Sequence, residues 1–256
     1  MFEHALVRTP GSNFQQGLRR EDLGVPDLPR TLRQHRQYCD ALRACGLRVR
    51  ELPADPAFPD GTFVEDTAVL LPSAGILTRP GAPSRAGETD AISAALQDHY
   101  PALARIDAPG TVDGGDICEA GRHVFIGRSA RTNAEGAAQL ARWLATQGVT
   151  ASTVDIRTVG GILHLKSGLA WLGERRLLVI EALASHPAFE GFECVRVAPE
   201  EAYAANAVRV NDKLLIASGY PRLQATLEGL GYDCLALDMS EFAKMDGGLS
   251  CLSLRY

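Results

Sequence analysis

Across its 256 residues the sequence holds no Cys-x-x-Cys pair, no apolar run near the ~18 residues that a membrane-spanning helix needs, and no stripe of basic residues. Each absence removes a class of function. The six cysteines, Cys39, Cys45, Cys118, Cys194, Cys234 and Cys251, are scattered, so neither a zinc module nor a dense disulfide framework is encoded. Residues 1–10 carry Glu3, His4 and Arg8 and lack the apolar core of a secretory signal, which leads us to expect a reduced, cytoplasmic location. Lys and Arg total 26 against 31 Asp and Glu; the net charge of −5 argues against a nucleic-acid surface and suits a small cationic ligand. No linker divides the chain, so one domain over 1–256 is expected. With 46% hydrophobic residues the chain can bury a sizeable core.

What is present is a repeat. Short apolar runs meet at glycine turns, a helical pattern follows, and then another strand, recurring about every 45–50 residues. Helical spacing runs through Leu28, Leu32, Cys39, Leu42 and Cys45, with Gly46 at the C-terminal cap. Thr62–Leu71 reads as β-rich, with Glu65 and Asp66 in its middle. Asp113-Gly114-Gly115-Asp116 opens a hairpin, and Thr132 or Asn133 caps the next helix. Later hairpins turn at Gly173-Glu174 and Asn211-Asp212, and Pro221–Leu230 is helical. The first repeat lacks a second hairpin strand. The last stretch, Asp246-Gly247-Gly248-Leu249-Ser250-Cys251-Leu252-Ser253-Leu254, reads as a glycine turn into a buried strand that would supply it. The expected fold is therefore α/β, five repeats closed by the C-terminal strand.

The chemistry-bearing residues gather near the openings of these repeats. Adjacent acids in a β-rich stretch are costly when buried unpaired, so Glu65 and Asp66 should meet a cation from protein or ligand. His164 lies between two leucines, an ordinary place for a core histidine, but beside a carboxylate and a thiol it becomes an acid–base candidate. A thiolate is the reactive form of cysteine and needs a positive neighbour to form near neutral pH. Cys251, His164 and Asp113 have those three roles available, while the other five cysteines have no histidine and acid in register. Gly160-Gly161 ahead of His164 reads as a turn or a mobile lid.

Asp60-Gly61-Thr62-Phe63-Val64-Glu65-Asp66, residues 78–85, Asp113-Gly114-Gly115-Asp116, Arg131-Thr132-Asn133, His164-Leu165-Lys166 and the Asp246–Cys251 turn together resemble the dimethylarginine dimethylaminohydrolase family, in order and along the whole chain. That resemblance implies a five-bladed, pseudo-symmetric α/β propeller of ββαβ units and a hydrolase that converts Nω-methylated arginines to citrulline. It implies Cys251 as nucleophile, His164 as acid and base, and Asp113 as its orienting carboxylate. Glu65 and Asp66 would hold the guanidinium, with Phe63 packed on its plane. Arg85 and Arg131 would clamp the α-carboxylate. Asp60 and main-chain carbonyls near Leu18, Met245 and Asp246 would take the α-amine. No metal and no cofactor are implied, and the partner is a small molecule, with no nucleic acid or membrane and a monomer or homodimer expected. The rival activities are a guanidine deiminase and a ribosome-binding propeller protein without catalysis.

Overall fold

Each apolar run that ends in a glycine or asparagine turn finds its partners in one of five three-stranded sheets in the computed structural model, which describes residues 1–256. By internal contacts the chain divides into two units, Met1–Val64 with Asn206–Tyr256, and Glu65–Ala205. The first unit begins with β1 (His4–Arg8), α1 (Leu28–Ala44) and β2 (Arg48–Leu52). The side chain of Asp27 caps α1 by accepting the Arg30 N–H at 2.7 Å, and Gly46 ends it at φ +89°. Because β1 and β2 run parallel, a crossover such as α1 is obligatory between them.

The buried face of α1 differs from the expected leucine stripe. Thr31, Gln34 and His35 are buried in its first half, and Leu28 and Leu32 are only partly covered. Burial of Thr31 and Gln34 is compensated by bonds, Thr31 donating to the Asp27 carbonyl and Gln34 to Ser240 Oγ at 2.9 Å, and Tyr38 pairs with Ser253 Oγ at 2.7 Å.

The second unit holds three repeats. β3 (Ala68–Leu71), β4 (Ala74–Leu77), α2 (Glu88–Leu96) and β5 (Leu103–Arg105) form one, and β6 (Ile117–Ala120), β7 (His123–Arg128), α3 (Ala134–Thr146) and β8 (Thr150–Asp155) the next. Their middle strands are antiparallel to the preceding strand and parallel to the following one. Ile76, Ile117, Ile126, Leu140 and Leu144 pack into a core cluster in this unit. Asn133, rather than Thr132, caps α3 by accepting the Gly136 N–H. β9 (Leu169–Gly173), β10 (Arg176–Ile180) and β11 (Glu193–Val197) make the third sheet. Here two 3-10 turns, Glu181–Leu183 and Pro187–Phe189, replace the helix, since the connection is short and Pro187 removes a donor within it.

Back in the first unit, β12 (Val208–Val210), β13 (Lys213–Ala217), α4 (Pro221–Gly229) and β14 (Asp233–Leu237) repeat the plan, followed by α5 (Ser240–Ala243) and β15 (Leu254–Arg255). β15 pairs antiparallel with β1, Leu6 opposite Leu254, and so fills the hairpin position that the first repeat lacks. The closing strand is shorter than its alternation suggested: Ser250–Leu252 is a 3-10 turn. Five such α/β repeats fit a pseudo-symmetric propeller. No helix is long and apolar enough to cross a membrane.

Candidate active site

In the second unit the first acids met are Glu65 and Asp66, which lie on a 3-10 turn, Val64–Thr67, instead of the expected strand. The turn leaves both side chains buried, at 3% and 2% exposure, so each must be paired. Lys166 Nζ lies 2.6 Å from Glu65 Oε1. Asp66 accepts from Arg85 at 2.5 Å through one oxygen and from the Gly115 N–H at 2.8 Å through the other. Arg85 is itself buried and turns the rest of its fork onto Glu88, at 2.7–3.1 Å. His164 Nε2 lies 3.0 Å from Asp113 Oδ2, and Asp113 Oδ1 accepts the Gly81 N–H at 2.7 Å. Asp113 therefore reaches the ring. Gly114 and Gly115 explain themselves sterically: a Cβ at Gly114 would stand 2.0 Å from the Glu65 carbonyl oxygen, and one at Gly115 would stand 2.6 Å from His164 Nδ1.

These contacts fix the charges. Burial pushes the His164 pKa down, but Asp66, the Asp113 hydrogen bond and Asp116 outweigh it and raise it to about 9. That direction favours the imidazolium at neutral pH. Burial pushes Asp66 up, but His164 and Arg85 prevail and hold it down at about 2. Burial dominates at Asp116 and raises it to about 6. A histidine whose pKa rises from 6.5 to about 9 on folding contributes stability that is fully present below pH 6.5 and is lost as pH rises through about 9. Asp66 has the opposite sense, its contribution being present above 3.8 and lost as pH falls through about 2. His164→Gln is thus expected to flatten the decline of Tm between pH 6.5 and 9, as read by scanning calorimetry. An unchanged slope would show that the ring is neutral in the folded chain.

In the first unit, Cys251 is the half-exposed member of its turn, flanked by Ser250 and Leu252 at 2% and 0% exposure. The Asn206 amide grips this turn from both sides, accepting the Ser250 N–H at 2.9 Å and donating to Ser250 Oγ at 3.0 Å. Gly248 is pressed so close to Asn206 that a Cβ would come within 2.5 Å of Oδ1. Asp60 is buried and accepts the Leu18 N–H at 3.0 and 3.2 Å. Asp246, at φ +55°, accepts the Arg20 N–H at 2.6 Å. Met245 is buried one residue before it.

The structure brings His164, Asp113 and Asp66 together, and Leu18 with Asp60. It corrects the sequence reading at Cys39 and shows further partners for Arg85 and Phe63. Arg85, expected at a carboxylate end, sits in ion pairs with Asp66 and Glu88, because a buried carboxylate needs a cation at once. Phe63, expected on the guanidinium plane, packs its ring on Phe14 and Phe242 and against Gly247. Cys39 does have a histidine and an acid in register, for His35, Cys39 and Glu51 offer ligand atoms within 4.8 Å of one another. Burial pushes that thiol up to about 12 and His35 down to about 4, so the pair is a neutral core contact. Arg131 is half-buried, its N–H donating to Ser129 Oγ.

Sequence reasoning missed Glu88, Asn206 and Asp116, and left Lys166 unassigned. Only Asp116 had a signal, as the second acid of Asp113-Gly114-Gly115-Asp116. Asp66, Asp113 and His164 also form a set with metal-ligand spacing. Within that set Asp66 already accepts from Arg85, and Asp113 already pairs with His164.

Five α/β repeats that carry a buried histidine–carboxylate centre and a cysteine turn define an amidinotransferase-like, propeller class of fold. No family model matches the chain. It is 44% identical, over the full length of both chains, to N(G),N(G)-dimethylarginine dimethylaminohydrolase of Pseudomonas aeruginosa. A crystal structure of that enzyme, a cysteine-to-serine variant complexed with citrulline, matches with a TM-score of 0.96 over 100% of each chain. A dimethylarginine dimethylaminohydrolase with histidine replaced by glycine, in adduct with S-methyl-L-thiocitrulline, matches equally, at 44% identity and a TM-score of 0.96 over 100% of each chain. The chain belongs to the dimethylarginine dimethylaminohydrolase family.

Proposed function

We propose that the chain hydrolyses Nω,Nω-dimethyl-L-arginine and Nω-monomethyl-L-arginine to L-citrulline, releasing dimethylamine or methylamine. The observation that carries this reading is the buried cluster in which His164 lies 3.0 Å from Asp113, with Asp66 alongside and Glu65 next to Asp66 in the chain. A guanidinium is a poor electrophile because its charge is delocalised. Carboxylates that bind it through charge-assisted hydrogen bonds, and an acid that protonates the departing amine, supply what the reaction lacks.

On this reading the Cys251 thiolate attacks the guanidinium carbon and forms a C–S bond. The bond to the dimethylated nitrogen then breaks, and dimethylamine leaves with the His164 proton. Neutral His164, oriented by Asp113, takes a proton from water, which adds to the S-alkylthiouronium carbon. The C–S bond breaks to return the Cys251 thiolate, the added hydroxyl gives up its proton to solvent, and citrulline departs. The bound substrate cation favours the thiolate over the thiol, as an opposite charge within ~4–6 Å does. Glu65 and Asp66 hold the guanidinium, with Phe63 beside it. Arg131 takes the α-carboxylate, and Arg85 serves that end while ordering Asp66. Asp60 and the main chain at Leu18, Met245 and Asp246 take the α-amine. Support for the nucleophile and acid comes from the related crystals, where a cysteine and a histidine are the residues replaced. The same reading takes residues 1–256 as one domain working in the cytoplasm, as monomer or homodimer.

The test is amine release from asymmetric dimethylarginine, monomethylarginine and arginine, with citrulline assayed alongside. Dimethylamine and citrulline in equal amounts are expected. Faster ammonia release from arginine would make the chain a deiminase, and no turnover of any guanidine would reduce it to a binding protein.

A further inference from the structure

The turn that carries Arg131 and the turn that carries His164 meet on one buried carboxylate in the second unit. The Arg131 and Thr132 N–H groups donate to Ser129 Oγ at 2.9 and 3.1 Å. Ser129 Oγ donates its own proton to Asp116 Oδ2 at 2.6 Å. Asp116 Oδ1 accepts the Leu165 N–H, adjacent to His164, at 2.9 Å. A second strand of bonds runs beside the first: the Asp113 N–H donates to Thr132 Oγ1 at 3.1 Å, and the Asp113 carboxylate reaches His164 at 3.0 Å. Asp116, Asp113 and Thr132 are each 0% exposed and Ser129 is 8% exposed, so water does not substitute for these partners.

The direction of the bonds is determined. Ser129 Oγ already accepts two backbone protons, so its hydroxyl hydrogen has to go outward, and Asp116 meets only donors. An acceptor-only side chain is therefore needed at position 116, which an ionised aspartate supplies and an asparagine does not. Buried networks of this kind rigidify what they join.

We propose that Ser129 and Asp116 are positioning residues that set the carboxylate-binding turn at Arg131 in register with the acid–base residue His164, so that the site discriminates in favour of substrates bearing an α-carboxylate. The inference rests on the methylarginine reading. A misplacement of ~1 Å in such a register costs on the order of 100-fold in rate.

The test compares full-length wild type, Ser129→Ala and Ser129→Thr on Nω-methyl-L-arginine and on its decarboxylated counterpart, Nω-methylagmatine. Ser129→Ala is expected to lower kcat/KM for the amino acid about 10–100-fold and to affect the amine far less, collapsing the preference; Ser129→Thr, which keeps the hydroxyl, restores it. Equal losses on both substrates, or an unchanged preference, would overturn the proposal. A second measurement needs no turnover and so separates this inference from the activity itself. L-norvaline, which has the amino-acid end and no guanidinium, is expected to shift the His164 ring resonances in wild type and Ser129→Thr but not in Ser129→Ala. No shift in wild type, or the same shift in all three, would overturn it.

Discussion

Cys251→Ser is expected to lower citrulline formation from dimethylarginine by about 10⁴-fold or more, with the fold and substrate binding retained. The size follows from the proposed chemistry, in which the thiolate is the nucleophile; a serine hydroxyl has no comparable ionised fraction near neutral pH. Retention of the fold follows from the turn. Asn206 holds Ser250 through both its amide atoms, Arg255 donates to the Ser253 carbonyl at 3.1 Å, and Tyr38 bonds Ser253 Oγ. These bonds hold the turn around Cys251 through its neighbours. Steady-state assay, a melting curve and citrulline titration of the variant check the three parts. Activity within about tenfold of wild type would remove Cys251 from the reaction.

The second large effect is expected at His164. His164→Asn should lower kcat about 10³–10⁴-fold, since in the proposed mechanism one residue donates a proton in the first half-reaction and accepts one in the second. The pH dependence makes the effect specific. With the folded pKa raised to about 9, the ring is protonated at neutral pH, and kcat/KM of the wild type should fall as pH rises through about 9 because the proton donor is lost. The variant should lack that alkaline limb. A steady-state pH profile of both proteins checks this; a limb that persists in His164→Asn would belong to another group. Removal of the ring also leaves Asp66 and Asp113 with one cation fewer, so the melting temperature has to be followed in parallel.

The repeats were legible because their signals are local. Alternation, glycine turns and asparagine caps act within a few residues, and even the role of β15 followed from counting which repeat lacked a strand. Long-range ion pairing leaves no such mark. Nothing in the spacing of Asp66, Arg85 and Glu88 announces that one guanidinium joins both acids, and the Lys166–Glu65 pair links residues a hundred positions apart. Asn206 lies at the start of what reads as an apolar strand, and its hold on the cysteine turn depends on which chain segments fold together. The strand expected through Cys251 failed for a related reason. Apolar alternation also suits a 3-10 turn whose neighbours are buried, and the half-exposure of Cys251 there is a tertiary fact.

Asp113 was legible as the carboxylate partner of His164, but what lets the two approach was not. What selects them is the absence of a side chain at Gly114 and Gly115, which lets the Glu65–Asp66 turn and the His164 ring approach one backbone segment. The glycines were visible in the sequence; the surface pressed against them was not.

The most direct test of covalent catalysis is mass spectrometry of acid-quenched enzyme during turnover of asymmetric dimethylarginine, followed by digestion to locate any added mass. The expected result is a species heavier by the substrate less dimethylamine, on the peptide containing Cys251 and absent from Cys251→Ser. Turnover to citrulline with no adduct on that peptide, or with the adduct on another residue, would contradict it.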